Sequence, residues 1–340
     1  MRLNSKIGSF LKYLFLFAVG MALLMLAFRG KNIGEMWEKI RGAKYEWVLL
    51  SVFCSFLAYV SRAYRWNMLI QPLGYQPKLS SSLYALMGGY LANLAIPRIG
   101  EISRCSALSQ SEKIPFNVLI GTVIVERGLD LILLLSSILL AASIEFDTLG
   151  GFISENLVKP FYGKAAFLFN SSLFIASIIL IVLALVTFIV VLFKKKNQSP
   201  FFAKMSSLMQ GVLKGLKSVV KMENKGLFLA HTFFIWVMYY FVTYACFFSF
   251  APTQQLGFKA GMFTLAIGGL GMTAPVQGGI GAYHLVVSKG LTLFGIDEAD
   301  GLAYATIVHT SQTLFVLLMG GISVVMLFLI SKKKKSHESH

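Results

Sequence analysis

The sequence predicts an all-α polytopic membrane protein with six full spans and two re-entrant helical hairpins, arranged as an inverted-topology repeat. Three observations lead there: the composition is too apolar for a water-soluble chain, six apolar runs have spanning length, and two further apolar regions are broken by proline and glycine. Of 340 residues, 56% are hydrophobic, 14% aromatic and only 14% charged, with a mean hydropathy of +0.71. A soluble domain of this length has no way to bury so much apolar surface.

A helix needs about 20 apolar residues to cross a hydrocarbon core of roughly 30 Å. Such runs lie near 12–28, 47–70, 116–143, 166–193, 227–250 and 302–331. The first follows Arg2, Lys6 and Lys12 as a secretory signal would, but RGK comes after it in place of a small-residue cleavage site, so it is expected to stay as the first helix. Regions 82–114 and 258–294 are interrupted by AIPRIGE and TAPVQGGIG, and each reads as a pair of half-length helices.

Lysine and arginine set the orientation, because cytoplasmic loops carry their excess. The N-terminal tail, the 194–226 loop and Lys332 to Lys335 hold fifteen basic residues between them and are expected inside. Segment 144–164 and the acidic 295–301, with Asp297, Glu298 and Asp300, are expected outside. Six spans then account for the whole connection, so each broken region must enter and leave on one side, the first from the cytoplasm and the second from outside. Residues 1–330 become a single membrane domain, with repeat one near 12–143 and repeat two near 166–331, followed by a basic, polar cytoplasmic tail at 331–340. Both termini are expected in the cytoplasm of a multi-pass protein of the cell inner (plasma) membrane. One loop disagrees: 29–46 should be outside, yet it holds Arg29, Lys31, Lys39, Arg41 and Lys44. The spacing of Ile33, Met36, Trp37 and Ile40 there is that of an interfacial amphipathic helix, for which the rule is weaker.

The net charge of +16 does not imply nucleic acid, since the basic residues flank apolar runs where they match anionic headgroups. Cys54, Cys105 and Cys246 have no metal-ligand spacing, and no serine elbow or phosphate loop is visible, so neither a metal nor a cofactor is expected.

Charges inside the membrane carry the functional reading. Irregular backbone there must be buried in protein or line a watery cavity. Pro97 ends one half-helix and Gly100 lets the chain turn before another begins near Glu101. The free N–H groups at that start favour an anion, and Arg98 and Arg104 beside it offer planar forks suited to phosphate. Alternatively, the two arginines snorkel to the interface while Glu101 caps the helix. Glu126, Arg127 and Asp130 fall near the middle of the 116–143 span, with Glu126 and Asp130 on one face at i, i+4 spacing. Charges at that depth should face inward and be paired, either as part of a pathway or as a structural ion pair of Arg127 with Asp130 or Glu101. In the second break, Pro275 ends a half-helix, and Gly278, Gly279 and Gly281 allow a turn lined with N–H groups, although close helix packing would also explain the glycines. His284 is expected at the mouth of that turn, as a packing residue or a proton carrier. Arg62 and Arg65, with Trp66, end the second span as an interfacial anchor or as a first contact for a lipid phosphate.

Together RAYRW, PRIGEISR, ERGLDLILL and PVQGGIGAYH resemble the flippase-like membrane family that includes the transmembrane region of lysylphosphatidylglycerol synthases, across residues from about 10 to 330. The resemblance implies movement of lipids or lipid-linked substrates between leaflets, with aminoacylated phosphatidylglycerol the best-known cargo. Gln277 departs from the family's Pro-x-Pro-Gly-Gly break, and His284 stands where an acidic residue is common. No soluble aminoacyl-transferase domain is present, so lysyl transfer is not expected. The expected partners are membrane lipids, either an anionic phospholipid or a polyprenyl-linked one, with a separate lipid synthase and a homo-oligomer as further options. Two rivals remain open: a membrane-embedded enzyme using Glu126 or Asp130 as base, and a non-transporting partner of a synthase.

Overall fold

A computed structural model describes residues 2–144 and 200–338, together with Leu180 and Thr187, and among these every regular element is a helix. The helices are α1 (Arg2–Phe28), α2 (Ile33–Arg41), α3 (Tyr45–Ile70), α4 (Leu79–Ala95), α5 (Gly100–Glu112), α6 (Phe116–Ile144), α7 (Pro200–Lys221), α8 (Lys225–Ser249), α9 (Phe258–Thr273), α10 (Ala282–Leu291) and α11 (Glu298–Glu338). Among the described residues, Tyr45–Leu73, Lys225–Ser249 and Glu298–Ile330 are each long and apolar enough to cross a bilayer, and Tyr13–Phe28 of α1 reaches that length and apolarity only together with α2, from which it is bent by 91°. The chain is a multi-pass membrane protein. The expected span at 166–193 and the 144–164 loop lie outside the described residues, Leu180 and Thr187 excepted.

Helices α3 and α8 pack antiparallel. Ser51 Oγ donates to the Val242 carbonyl near one end (2.8 Å), and Ser61 Oγ meets His231 Nδ1 near the other (2.8 Å). The end that holds the start of α3 also holds the start of α11, because Lys31 pairs with Glu298 at 3.2 Å and Lys39 pairs with Asp300. These two pairs give a physical reason for the basic 29–46 loop: its lysines face the acidic 295–301 segment. Asn32 caps α2 by accepting from Gly34 N and Glu35 N, Met36 is buried, and Ile33 and Trp37 stay exposed. At the same end the largest buried cluster joins Phe247, Phe250, Val287, Leu291 and Tyr304. The outward faces carry apolar side chains, among them Ile132 and Leu139 on α6, Phe233 on α8 and Phe328 on α11, each at least half exposed. That is the surface expected against lipid tails.

Two helical hairpins fill the space between. α4 and α5 start and finish at the C-terminal end of α3, whereas α9 and α10 start and finish at the C-terminal end of α8, which is the opposite end of the bundle. Each hairpin is tight because glycine removes a side chain at the crossing: a Cβ on Gly100 would overlap the Gly89 carbonyl and the Asn93 amide, and one on Gly271 would stand 3.0 Å from the Tyr283 Cα. Asn93 Oδ1 then accepts from Gly100 N at 2.6 Å, satisfying one open N–H of the second half-helix. The tips meet. Arg98, a non-glycine residue at φ 61°, donates through Nη2 to the Thr273 carbonyl at 2.9 Å, and a Cβ on Gly278 would press on Leu94 at 2.7 Å.

α7, inside the lysine-rich 194–226 loop, is an element the sequence reading did not anticipate. It packs on α6 at a backbone-to-backbone crossing, where a Cβ on Gly121 would overlap the Gly211 carbonyl and one on Gly215 would overlap the Gly121 carbonyl. Its buried positions are small, namely Ser206, Gly211, Gly215 and Ser218, a stripe that allows this approach.

Candidate functional site: a buried arginine and carboxylate cluster

Glu126 stands at the centre of the molecule's polar interior. Its side chain is fully buried and meets four guanidiniums: Arg62 at 2.5 Å, Arg127 at 2.8 Å, Arg104 at 3.1 Å and Arg65 at 3.5 Å. Asp130, one turn further along α6, takes Arg65 at 2.7 Å, Arg127 at 3.0 Å and Arg62 at 3.1 Å. The i, i+4 spacing of the acids and the i, i+3 spacing of Arg62 and Arg65 put each pair on one helix face, so the two faces interlock. Trp66 fixes the crossing by donating from Nε1 to Thr122 Oγ1 at 2.9 Å, and the Arg104 guanidinium lies 4.8 Å over the Trp66 ring.

Four arginines against two carboxylates leave the cluster with a net charge of +2. Counting the charges at the first break, Arg98 and Glu101, leaves the sum unchanged. Guanidiniums surround both carboxylates, and five of their nitrogens, Arg62 Nε, Arg65 Nε, Arg65 Nη1, Arg104 Nη2 and Arg127 Nε, have no hydrogen-bond partner, against one carboxylate oxygen, Glu126 Oε2, that has none. The surplus is therefore one of donors and of positive charge.

That surplus borders a cavity of about 570 Å³. Arg62, Arg127 and Asp130 line one wall, and Tyr90 and Trp236 stand beside them with Tyr90 Oη and Trp236 Nε1 unpartnered. Tyr239 accepts from Arg62 Nη1 at 2.9 Å and also lines the cavity. The far wall comes from the second hairpin and α11: Gly268, Gly269, Met272, Thr273, Gly278, His309 and Gln312. Leu131 on α6 and Met272 on α9 line the cavity and are also half exposed, at 55% and 50%, so apolar lining residues reach the surface on both helices. Among the described residues no group of three or more side chains is arranged to hold a metal ion.

Several sequence expectations need correction. Arg62, Arg65 and Trp66 are not an interfacial anchor: they are 5%, 0% and 0% exposed, because α3 runs on to Ile70 and α5 and α6 cover its last turns. Arg104 does not snorkel but is buried against Glu126, whereas Arg98 is exposed and ties the two hairpin tips together. Arg127 pairs with Glu126 and Asp130 rather than Glu101, which lines a small adjoining void beside Arg104 and Arg127. His284 is not at a mouth: it is 5% exposed, its ring lying 4.8 Å from that of His309, whose Nε2 meets the Gly278 carbonyl at 2.8 Å. Of the site residues expected at the second break, Pro275, Gly278, Gly279, Gly281 and His284, only Gly278 lines the cavity. Gly278, Gly279 and Gly281 take φ of 56°, 76° and 79°, a left-handed run that favours glycine, and Pro275 is an exposed turn residue. Tyr90, Trp236, Tyr239 and Gln312 were missed, since single aromatic or amide residues in an apolar helix carry no periodic signal.

Fold and site together define a class: a polytopic helical membrane protein whose hairpin tips meet at a buried, cationic cavity. The chain belongs to the family of the lysylphosphatidylglycerol synthase TM region, whose model matches residues 12–320. Over 88 residues it is 33% identical to a UPF0104 membrane protein of Methanocaldococcus jannaschii, a match that covers 25% of this chain and about a quarter (26%) of that relative's length. No solved structure matches.

Proposed function

We propose that this protein moves an anionic phospholipid or polyprenyl-linked amphiphile between membrane leaflets. In this reading it is one domain of six spans and two re-entrant hairpins related as inverted repeats, with both termini in the cytoplasm of the cell membrane. The observation that carries the reading is the cavity where the hairpin tips meet. It combines a cationic, donor-rich wall with half-exposed apolar residues, which suits an amphiphile whose headgroup is charged and whose chains remain in lipid. Family membership supports a lipid-related role. Broken helices that meet between repeats are where transporters of inverted-repeat design hold their substrates. The enzyme reading is weaker here, because Glu126 and Asp130 are each ion-paired to three or more guanidiniums and Glu126 does not line the cavity.

Reconstitution into liposomes with a fluorescent anionic lipid and an impermeant quencher tests the proposal. The expected result is loss of the protected inner-leaflet fraction in protein-containing vesicles, with the lipid recovered chemically unchanged. Protection equal to that in protein-free vesicles would overturn it, and a covalently altered lipid would favour the enzyme.

A further inference from the structure

We infer that the headgroup this cavity takes is a phosphate monoester, a dianion, in preference to a phosphodiester or an amine-bearing headgroup; this rests on the lipid-binding reading above. The argument is one of charge and donor count. The cluster's net charge of +2 lies in the middle of an apolar bundle, where an uncompensated charge is costly. A diester brings one negative charge and leaves half of the excess. A monoester, with its second pKa near 6, brings up to two and cancels it.

The free hydrogen-bonding groups point the same way. Arg127 Nε, Tyr90 Oη and Trp236 Nε1 belong to cavity-lining residues and have no partner, and Arg62 Nε belongs to a lining arginine that is only 5% exposed. A terminal phosphate has three oxygens free to accept from such donors, one more than a diester has. An ammonium finds the reverse: Asp130, the lining carboxylate, already carries three guanidiniums, so an amine headgroup would meet like charge with no free carboxylate to pair with. The apolar part of the wall, including Leu131 and Leu134, fits an acyl or prenyl stem better than a soluble phosphate.

The test is direct binding to the purified full chain in detergent, read by tryptophan fluorescence. The probes are phosphatidic acid and a polyprenyl phosphate as lipid monoesters, phosphatidylglycerol as the diester, phosphatidylethanolamine as the amine-bearing diester, and glycerol 3-phosphate as a free monoester. Both lipid monoesters are expected to bind at least about tenfold tighter than phosphatidylglycerol, with glycerol 3-phosphate weaker than either and phosphatidylethanolamine weakest. Between pH 7.5 and pH 5, monoester affinity should fall about tenfold as the free ligand loses its second charge. The diester arm, which sees the same Asp130 and His309, should change little. Arg127→Gln, at the most exposed arginine of the cluster, should bring the monoester and diester affinities together. Equal affinity for monoester and diester would overturn the inference while leaving lipid translocation standing. Tighter binding of glycerol 3-phosphate than of the lipids would overturn it in favour of a soluble phosphate site. Binding of no anionic lipid at all would overturn both readings.

Discussion

Replacing Glu126 by glutamine removes the one charge that four arginines share. Three of its contacts, to Arg62, Arg104 and Arg127, have hydrogen-bond geometry. At about 1.5–3 kcal/mol for each bond to a charged group, independent bonds would sum to roughly 5–9 kcal/mol. They converge on one carboxylate and are not independent, so the expected loss is that of breaking a buried ion pair, about 3–5 kcal/mol. At about 2 °C per kcal/mol, the apparent Tm in detergent should drop by roughly 6–10 °C. A double-mutant cycle with Arg104→Met sharpens the test, since Glu126 is the only acidic partner Arg104 has among the described residues, and methionine keeps contact with the Trp66 ring. The pair Glu126→Gln and Arg104→Met should be less damaging than the two single losses added together, with a coupling of at least about 1 kcal/mol. An unchanged Tm for Glu126→Gln, or strict additivity in the cycle, would refute the claim that this carboxylate organises the cluster.

Other consequences can be measured separately. Gly121→Leu should abolish the α6–α7 crossing, because even a Cβ there overlaps the Gly211 carbonyl; a drop in folded yield on size-exclusion chromatography checks it, with Gly128→Leu, whose Cβ meets nothing within 4 Å, as the tolerated control. Cysteines placed at exposed Gly257 and Lys214 should react with an impermeant thiol reagent from opposite sides of the membrane, the first from outside in intact cells. Ser206, 2% exposed, would be shielded on either side and is unsuited to the same experiment. Lys39→Glu should cost no more than about 1 kcal/mol, because its pair with Asp300 is exposed, and most of that loss should vanish at high salt.

The membrane class, both breaks and the inward-facing acids were legible from the sequence because each rests on a strong local constraint. Proline and positive-φ glycine mark the turns at Pro97 and Gly278, and insertion cost marks Glu126 and Asp130. Their partners were harder to read. Two arginines and a tryptophan ending a span look like an anchor until α5 and α6 are known to close over them, which is long-range information. The helix α7 had a signal, Gly211 and Gly215 four apart, hidden among lysines that suggested only a loop. The basic 29–46 segment resisted the orientation rule for a similar reason: Lys31 and Lys39 answer carboxylates more than 250 residues away.

The central claim, that the cationic cavity is a lipid pathway, is tested most directly by the lipid translocation rate of Arg127→Gln in liposomes, normalised to folded protein and compared with the wild type. Arg127 lines the cavity and is 39% exposed, so its loss should cost no more than its bond to Glu126, a drop in Tm of roughly 3–6 °C at most, while removing a charge that faces the headgroup. The account expects translocation of an anionic lipid to slow by about tenfold or more, on the scale of one charge-assisted hydrogen bond. A stable variant that moves the lipid at the wild-type rate would contradict it.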